Sequence, residues 1–351
     1  MFFASDNCSG AAPEILTAIA EANRGYCPSY GEDQLTGQVR DAIRTIFEAP
    51  EAEVCLVATG TAANALSLSL FCPPWGRIYC ATDAHIDIDE CGAVELAIGG
   101  GKMALVAADN GKMTPQSLQD RMRKTPEGSV HGHQHGVVTL ANLTEAGTLY
   151  HPEEVRKLSD MARAQGMGLH MDGARFVNAL VAAGCSPAEL SWKAGVDVLS
   201  LGGTKNGCLA VEAVVLFDPE KAWEMELRRK RAGQLFSKHR LLSSQMLAYL
   251  KDGLWLRLAA HANQMGQTLS AALADLPGAR LRYPTDGNMV FIDLPRATLR
   301  RAAAAGAAFS TPAPDARLDG ADDERLTARF VASWATTTEE IERMVSLLKE
   351  G

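Results

Sequence analysis

Strand-like and helix-like patterns alternate from residue 13 to residue 217, and this alternation restricts the fold more than any other feature of the chain. Short apolar runs at 54–58, 77–81 and 196–201 are typical of buried strands, and amphipathic segments lie between such runs. Parallel strands need crossover connections, which are usually helices. The sequence therefore predicts an α/β fold with a mostly parallel sheet.

The pattern changes after Pro219, where the chain becomes helical and basic. After Pro277, short strand-like runs alternate with helical segments, which is typical of an α+β unit. No proline-rich or serine-rich linker separates the two parts. We therefore predict a large domain over residues 1–245, with its N-terminal segment contributing to the functional site, and a smaller α+β C-terminal domain over residues 246–351.

Charge and composition exclude several classes of protein. The formal net charge of −8 argues against a nucleic-acid surface, since such surfaces are basic. No apolar run approaches the ~20 residues that a membrane-spanning helix needs, and the first residues lack a basic leader and a signal-like apolar core. The eight cysteines are scattered without a CxxC pair, which favours reduced thiols. We expect a cytoplasmic protein with neither a nucleic-acid nor a membrane partner.

Lys205 lies in a glycine-rich turn, Ser200-Leu-Gly-Gly-Thr-Lys-Asn-Gly207, directly after a predicted strand. A second predicted strand, at 167–171, ends next to Asp172. A lysine and an aspartate that follow two strands in this way are typical of a pyridoxal phosphate site. The lysine forms a Schiff base with the cofactor, and the carboxylate keeps the pyridine nitrogen protonated so that the ring can accept electrons.

The stretch Thr59-Gly-Thr-Ala-Ala-Asn64 lies where a predicted strand gives way to a helix. Backbone N–H groups at the start of a helix, near Gly60 and helped by the Thr61 hydroxyl, can hold a phosphate dianion. Ordinary helix capping explains the same pattern. The stretch has neither the P-loop nor the dinucleotide fingerprint, so a nucleotide site is disfavoured.

His85 lies just past the predicted strand that ends at Ala81, in the same half of the chain as the phosphate candidate. This position favours a ring-stacking or acid/base role over a purely structural one. The neighbouring Asp87, Asp89 and Glu90 lack the spacing of a calcium loop. We expect these carboxylates to be solvated or to support the site, and we expect no metal.

Three alternating histidines, His131, His133 and His135, offer a second possible metal site. On an extended segment they would lie on one face and could bind a transition metal weakly. The flanking Gly132 and Gly136 favour a surface loop instead, and we prefer that interpretation.

Arg175 follows Asp172 by three residues, so that it can reach the substrate side of the same cofactor ring. A guanidinium group there would bind an α-carboxylate through two parallel hydrogen bonds. A structural salt bridge at the start of a helix is the alternative.

Seven short segments of this chain are informative when they are considered together and in their order. They are residues 3–10, 30–33, 59–64, 84–85, 90–93, 170–176 and 202–207. Together they resemble the low-specificity L-threonine aldolase family, which belongs to the fold type I, aspartate-aminotransferase-like pyridoxal phosphate enzymes. The resemblance extends to the stretch 328–334 and so covers nearly the whole chain. Each segment alone is common, whereas their ordered combination is specific.

The resemblance implies a role for each matched residue. Lys205 would form the Schiff base, and Asp172 would bind the pyridine nitrogen. His85 would stack on the ring and reach the β-hydroxyl region of the substrate, and it is our candidate, directly or through water, for the base that removes the β-hydroxyl proton. Gly60 and Thr61 would bind the phosphate. The further contacts implied are Thr204 and Lys230 to the cofactor, and Ser5, Tyr30, Arg175 and Arg329 to the substrate.

Family members are similar in assembling their sites across a subunit interface. The resemblance therefore implies a homo-oligomer, either a dimer or a tetramer. In such an assembly Tyr30 and Lys230 would reach the neighbouring subunit's site, Lys230 toward the phosphate.

The chain departs from the family pattern in one stretch. Many relatives carry a second histidine in an Asn-Thr-His sequence near the substrate hydroxyl. The matching segment is Ala141-Asn-Leu-Thr-Glu-Ala-Gly147, and Thr144 takes the place of that histidine. The resemblance therefore predicts neither the contact to the β-hydroxyl nor the threo/erythro preference.

The resemblance implies an activity, namely the reversible retro-aldol cleavage of L-threonine, L-allo-threonine and related β-hydroxy-α-amino acids. The products would be glycine and an aldehyde, and the cofactor would be pyridoxal phosphate. The same lysine and aspartate serve other reactions, so another fold type I lyase or a transaminase acting on a small amino acid is the main alternative. A ligand sensor without enzymatic activity is a further alternative, which the missing fingerprint glycines disfavour.

Overall fold

The computed structural model describes residues 1–312 and 317–349, which contain a seven-stranded, a three-stranded and a two-stranded sheet. Apolar runs in the first 217 residues predict strands, and those segments form the larger sheet. The strands are β1 (Glu53–Val57), β2 (Gly76–Ala81), β3 (Lys102–Val106), β4 (Ala108–Asp109), β5 (Lys112–Met113), β6 (Gln134–Ala141), β7 (Gly168–Gly173), β8 (Val198–Gly202), β9 (Glu212–Leu216), β10 (Arg280–Leu281), β11 (Met289–Pro295) and β12 (Arg325–Val331).

Helices alternate with these strands, and local sequence explains where several of them begin. Proline stands at the first turn of α1, α6, α7 and α9, where its missing N–H has no helical partner to lose. The helices are α1 (Pro13–Ala22), α2 (Gln34–Ile46), α3 (Gly60–Ser69), α4 (His85–Ile88), α5 (Ala93–Ile98), α6 (Pro115–Met122), α7 (Pro152–Arg163), α8 (Phe176–Ala183), α9 (Pro187–Leu190), α10 (Ala222–Arg231), α11 (Arg240–Leu250), α12 (Leu254–Ala274), α13 (Arg296–Ala304) and α14 (Thr338–Lys349).

The larger sheet has the strand order β1-β9-β8-β7-β6-β2-β3. Only β9 is antiparallel to its neighbours β1 and β8, and the other neighbouring pairs are parallel. Six strands therefore run in one direction, and their carboxyl ends lie along one edge of the sheet, which we call the carboxyl edge. The predicted α/β fold with a mostly parallel sheet is confirmed.

Both faces of the larger sheet are buried. On β1, Val54 and Leu56 belong to one apolar core cluster, whereas Cys55 and Val57 belong to a second one. Successive side chains of a strand point to opposite faces, so each face of β1 has its own layer of packing. This explains why the strands are nearly continuous apolar runs rather than alternating ones.

The three-stranded sheet β10-β11-β12 is antiparallel, and it packs with α13 and α14 around a separate core. Phe3 is buried in that core, although it lies near the start of the chain. Its N–H donates to the Ala308 carbonyl at 2.8 Å, and its carbonyl accepts from the Val331 N–H at 2.8 Å. The N-terminal segment therefore attaches to the C-terminal sheet before it enters the larger sheet's helical layers.

The division between the two predicted domains stays a prediction. The expected boundary after residue 245 falls within α11, and α12 connects that helix to the three-stranded sheet. Residues 313–316 and 350–351 of the predicted C-terminal domain lie outside the described residues.

Candidate active site

Five of the predicted site residues follow strands at the carboxyl edge or end them there. His85 begins α4 shortly after β2, Asp172 is on the last part of β7, and Lys205 follows β8. Gly60 and Thr61 are the first two residues of α3, which follows β1. Ligands of open α/β sheets bind outside the carboxyl ends of the strands, so this is the expected place for a site.

The turn that carries Lys205 is held firmly on both sides. The Gly203 N–H donates to Glu212 Oε2 at 2.8 Å, and Asn206 Nδ2 donates to Tyr249 Oη at 2.7 Å. Gly203, Glu212, Asn206 and Tyr249 are all buried. The backbone on each side of Lys205 is thus fixed, while the half-buried lysine side chain projects from it.

Close packing explains the two glycines before this turn. A Cβ atom on Gly202 would lie 2.4 Å from the Ala174 carbonyl oxygen, and one on Gly203 would lie 2.6 Å from the Val211 carbonyl oxygen. Real Cβ atoms do not approach backbone atoms so closely. Thr204 Oγ1 accepts the Val211 N–H at 3.3 Å, so this side chain supports the turn, and its predicted cofactor contact stays a prediction.

Asp172 is oriented by two hydrogen bonds from the protein. Asn64 Nδ2 donates to its Oδ2 at 2.8 Å, and the Ala174 N–H donates to its Oδ1 at 2.9 Å. Asp172 itself is only 8% exposed. A carboxylate fixed in this way, at the end of a central strand, suits the binding of a protonated ring nitrogen.

His85 is connected to Asp172 through buried polar groups. Its Nδ1 lies 2.8 Å from Glu90 Oε1, and the same oxygen accepts from Asn64 Nδ2 at 2.9 Å. The bond to Glu90 raises the pKa of His85, while burial lowers it to a smaller degree. Glu90 is buried and supports the site, whereas the adjacent Asp87 and Asp89 are exposed.

The start of α3 leaves backbone donors available for an anion. Thr59 caps the helix, its Oγ1 accepting the Ala62 N–H at 3.2 Å. The N–H groups of Gly60 and Thr61 precede the helical hydrogen-bond ladder. A Cβ atom on Gly60 would meet no atom within 4 Å, so space lies in front of this helix start. A phosphate group fits there.

Arg175 forms a buried ion pair at the start of α8, which is the alternative that the sequence offered, with Asp6 as a partner that the sequence did not predict. Its Nε donates to Asp6 Oδ2 at 2.7 Å, and its Nη2 donates to Asp6 Oδ1 at 2.9 Å. The two side chains are 6% and 2% exposed. Burial raises the pKa of Asp6, but the charges of Arg175 and Lys205 and the bonds from Arg175 and Asn288 hold it below its usual value. Arg175 Nη1 has no hydrogen-bond partner among the described residues.

Replacing Asp6 with asparagine should lower the free energy of unfolding by about 3–5 kcal/mol, because the buried guanidinium would lose its counter-charge. Urea unfolding of the wild type and Asp6→Asn at neutral pH measures this difference. The folded-state pKa of Asp6 lies below its ordinary value. The stabilisation is therefore present above the unfolded-state pKa and is lost as pH falls through the folded-state pKa, so the difference should shrink in acid.

Asp41→Asn is the matched control, since Asp41 is an exposed aspartate on α2. Its free energy of unfolding should stay within about 0.5 kcal/mol of the wild type. An equal loss in both variants, or no loss in Asp6→Asn, would contradict the role of the buried pair.

Arg329 approaches the same region from β12. Its Nε donates to Ser310 Oγ at 3.0 Å, and its Nη2 donates to the Ala4 carbonyl at 3.2 Å. Burial lowers the pKa of Arg329, and the nearby charge of Arg175 lowers it further. Two interacting guanidinium groups at one place are suited to bind an anion such as a carboxylate.

Ser5 lies beside these arginines in the chain's first turn. It begins the 3₁₀ turn Asp6–Cys8, and its Oγ accepts the Asn7 N–H at 3.1 Å. The hydroxyl hydrogen remains able to donate. Because the same turn places Asp6 against Arg175, the predicted carboxylate contact of Ser5 is compatible with the structure.

Tyr30 and Lys230 are in contact with each other. Lys230 Nζ lies 4.4 Å from the centroid of the Tyr30 ring, which is a cation–π geometry. Both side chains are exposed in the single chain. Their predicted contacts in a neighbouring subunit stay predictions.

Glu145 belongs to this site, and the sequence interpretation missed it. It lines the same cavity as His85 and Asp172, and its charge interacts with those of Arg175 and Lys205. It stands next to Thr144, in the one stretch that departs from the family pattern. Asp6 likewise stands next to the predicted Ser5. In both cases the missed residue directly follows a residue that the resemblance singles out.

Residues of the candidate metal sites form hydrogen bonds with other side chains instead. His135 lies on β6 rather than in a loop, and its Nδ1 lies 2.6 Å from Tyr79 Oη. Within residues 1–312 and 317–349, no three or more His, Cys, Asp or Glu side chains are grouped so as to hold a metal ion. In the same ranges, no helix combines the length and the apolar character that crossing a membrane requires.

The residues at the carboxyl edge fit pyridoxal phosphate. Lys205 offers an amine on a fixed turn, Asp172 an oriented carboxylate, and His85 an imidazole that lines one cavity with Asp172. The start of α3 offers phosphate donors with open space before them. This set of groups matches the ring nitrogen, the aldehyde and the phosphate of that cofactor.

Comparison with solved structures defines the class of protein. A threonine aldolase from Leishmania major matches with a TM-score of 0.91 and 28% identity, covering 99% of this chain and 98% of that one. A serine palmitoyltransferase from Sphingomonas wittichii, at 15% identity, shares the fold with a TM-score of 0.70 over 99% of this chain and 86% of that one. The fold is that of the fold type I pyridoxal phosphate enzymes.

Sequence comparison narrows this class. Residues 3–295 match the model of the beta-eliminating lyase family. The chain is 42% identical to a low specificity L-threonine aldolase of Pseudomonas aeruginosa, over 97% of this chain and 95% of that protein. It is 41% identical to one of Pseudomonas sp., over 98% and 96% of the two chains. The chain belongs to the beta-eliminating lyase family, in its low-specificity L-threonine aldolase group.

Proposed function

We propose that this protein binds pyridoxal phosphate and cleaves L-threonine, L-allo-threonine and related β-hydroxy-α-amino acids to glycine and an aldehyde, reversibly. One observation carries the proposal. A lysine, an oriented aspartate and a histidine lie together at the carboxyl edge of the larger sheet, and two arginines lie near them. Lys205, Asp172 and His85 interact electrostatically there, and so do Arg175 and Arg329. The relatives named above as L-threonine aldolases support it.

We assign the cofactor contacts to the residues at the carboxyl edge. Lys205 holds the cofactor covalently, Asp172 binds its ring nitrogen, and His85 packs on its ring. Gly60 and Thr61 bind the phosphate through the start of α3, and the side chain of Thr204 supports the lysine turn beside it. When bound, pyridoxal phosphate supplies a sink for the electron pair that is released when a bond to Cα breaks.

The arginines bind the substrate and so select the bond that breaks. Arg175 and Arg329 hold the α-carboxylate together with Ser5, and the Asp6 pair keeps the Arg175 guanidinium in one orientation. Which bond to Cα breaks depends on how the substrate is oriented rather than on the cofactor. Arg329 on β12 and Arg175 at the start of α8 fix the orientation of the carboxylate, and we propose that in this orientation the bond between Cα and Cβ is the one aligned to break.

The assembly and location of the protein are part of the proposal. We place the site at the interface of a homo-oligomer, a dimer or a tetramer, in which Tyr30 and Lys230 reach the neighbouring site. The exposed cation–π pair of these residues supports a role at a surface that meets another copy. All eight cysteines are unpaired, which supports a reducing cytoplasm.

A product assay tests the proposed reaction. Purified protein loaded with pyridoxal phosphate should cleave both L-threonine and L-allo-threonine. With either substrate, it should release one molecule of acetaldehyde for each molecule of glycine. We measure glycine by amino-acid analysis and acetaldehyde by a coupled dehydrogenase. Release of ammonia and a 2-oxo acid without glycine would show β-elimination instead. Transfer of the amino group to an added 2-oxo acid would show a transaminase.

A further inference from the structure

The carboxylate of Glu145 has no assigned task, although it faces the site. It lines the cavity between the ends of β2, β6 and β7 together with His85 and Asp172. None of the hydrogen bonds found among residues 1–312 and 317–349 involves this carboxylate. The residue is half-buried, so water reaches its carboxylate only in part. The carboxylate therefore lacks both full hydration and a hydrogen bond from the protein. Such a group is available to a ligand.

The loop that carries Glu145 is held to the end of β7 and closed on itself by hydrogen bonds. The Asn142 N–H donates to the carbonyl of Asp172 at 2.9 Å, which joins the loop to the end of β7. Thr144 Oγ1 lies 2.8 Å from Thr148 Oγ1, and Thr144 Oγ1 accepts the Thr148 N–H at 3.2 Å. Thr144 thus uses its hydroxyl to close the loop. Of this adjacent pair, Glu145 is the residue whose polar group remains free toward the cavity.

The charges around Glu145 are those that hold the cofactor and the substrate. Burial raises the pKa of Glu145, and the charges of Arg175 and Lys205 oppose that rise without cancelling it. A carboxyl whose pKa is raised from its ordinary value is a stronger proton acceptor than an exposed one. Glu145 therefore lies close enough to the proposed cofactor lysine and the proposed substrate arginine for its charge to interact with theirs.

His85 is the group that the sequence predicts as the base for the β-hydroxyl proton, and it already has another task in the proposed site. Its Nδ1 lies 2.8 Å from the buried carboxylate of Glu90, which orients the imidazole. An imidazole that packs on the cofactor ring presents its π face to that ring. We therefore assign His85 to the cofactor ring and the β-hydroxyl proton to Glu145.

We propose that Glu145 is the catalytic residue that binds the β-hydroxyl of the substrate and accepts its proton when the Cα–Cβ bond breaks. This inference rests on the proposed cleavage reaction. It places a polar group near the β-carbon of the substrate, where many relatives carry the second histidine of the Asn-Thr-His sequence.

The β-hydroxyl proton moves to the Glu145 carboxylate, and the O–H electron pair becomes the second bond of the aldehyde carbonyl. The Cα–Cβ bond breaks, and its electron pair stays with the Cα fragment. That fragment takes up one proton from solvent and leaves as glycine. Glu145 then releases its proton to solvent, so no oxidant or reductant is needed.

Two reactions of one protein test this role. Cleavage of L-threonine needs the β-hydroxyl proton acceptor, whereas exchange of the glycine α-proton with D₂O does not, because glycine has no β-carbon. We expect Glu145→Gln to lower kcat for cleavage by about 10²–10⁴-fold. The rate of α-proton exchange, followed by NMR, should stay unchanged. The dissociation constant for glycine, from the change in cofactor absorbance, should also stay unchanged.

Further variants keep the test decisive. Glu145→Asp retains a carboxylate one methylene shorter, so it should cleave faster than Glu145→Gln and change the ratio of L-threonine to L-allo-threonine turnover. Glu153→Gln removes an exposed carboxylate on α7 and should cleave like the wild type. If Glu145→Gln does not fold, the Glu145→Asp ratio decides, and an unchanged ratio there overturns the inference.

The outcomes also separate this inference from the proposed function. A wild-type protein that exchanges the glycine α-proton but cleaves neither diastereomer would overturn the proposed function. Normal cleavage by Glu145→Gln would overturn the role of Glu145 alone. A parallel loss of cleavage and α-proton exchange would also overturn it, since Glu145 would then serve the shared cofactor machinery.

Discussion

Replacing Lys205 with alanine should abolish cleavage of L-threonine and remove the absorbance band that the cofactor gives when it is joined to this lysine. We expect kcat to fall by about 10⁴-fold or more, because the covalent attachment and the amine that carries protons are lost together. The supports of the turn, at Gly203 and Asn206, do not involve the lysine side chain. The variant should therefore fold, and absorbance and steady-state kinetics measure both effects.

Lys157→Ala is the control for this experiment. Lys157 is an exposed lysine on α7 and should affect neither the spectrum nor the rate. A Lys205→Ala protein that keeps the band and normal turnover would show that another amine holds the cofactor.

Replacing Asp172 with asparagine should lower kcat by about 10²–10³-fold, because a neutral amide does not stabilise a protonated ring nitrogen as a carboxylate does. Asparagine has nearly the same shape but only one side-chain oxygen, so Asn64 can still donate to it while the Ala174 N–H loses its acceptor. This loss should destabilise the fold by about 1–3 kcal/mol. Kinetics, cofactor absorbance and thermal unfolding together separate the two effects.

The exposed Asp87 provides the control for this second prediction. Asp87→Asn changes the same type of group near His85 and should leave kcat unchanged. An unchanged kcat in Asp172→Asn would show that the ring nitrogen does not depend on this carboxylate.

Much of the fold could be predicted from the sequence, because buried parallel strands are short apolar runs with clear ends. The strands at β1, β2, β7 and β8 were predicted within about two residues, which is the usual uncertainty of element ends. The predicted site residues at those strand ends followed from the same rule. A strand end is a local signal, and a glycine turn after it is another.

The parts of the site that were missed depend on contacts between distant segments. Asp6 meets Arg175 across 169 positions of sequence, and no local pattern marks that pair. Glu90 was one of three neighbouring acidic residues, and only burial distinguishes it from Asp87. Glu145 carries no sequence signal of its own, because the departure from the family pattern points to Thr144, whose hydroxyl the loop itself uses. Tertiary packing, rather than residue type, selects among such neighbours.

The attachment of the N-terminal segment to the last strand has a consequence for how the protein is made. Arg329 and Ala4 are 325 positions apart, and Phe3 is hydrogen-bonded to Val331. Contacts of such long sequence separation form late, because the loop between their ends must close first. Residues 3 and 4 can therefore reach these partners only after residues 329–331 have been synthesised. A nascent chain that stops before β12 contains every strand of the larger sheet, yet it lacks Arg329, one of the two arginines proposed to bind the substrate carboxylate.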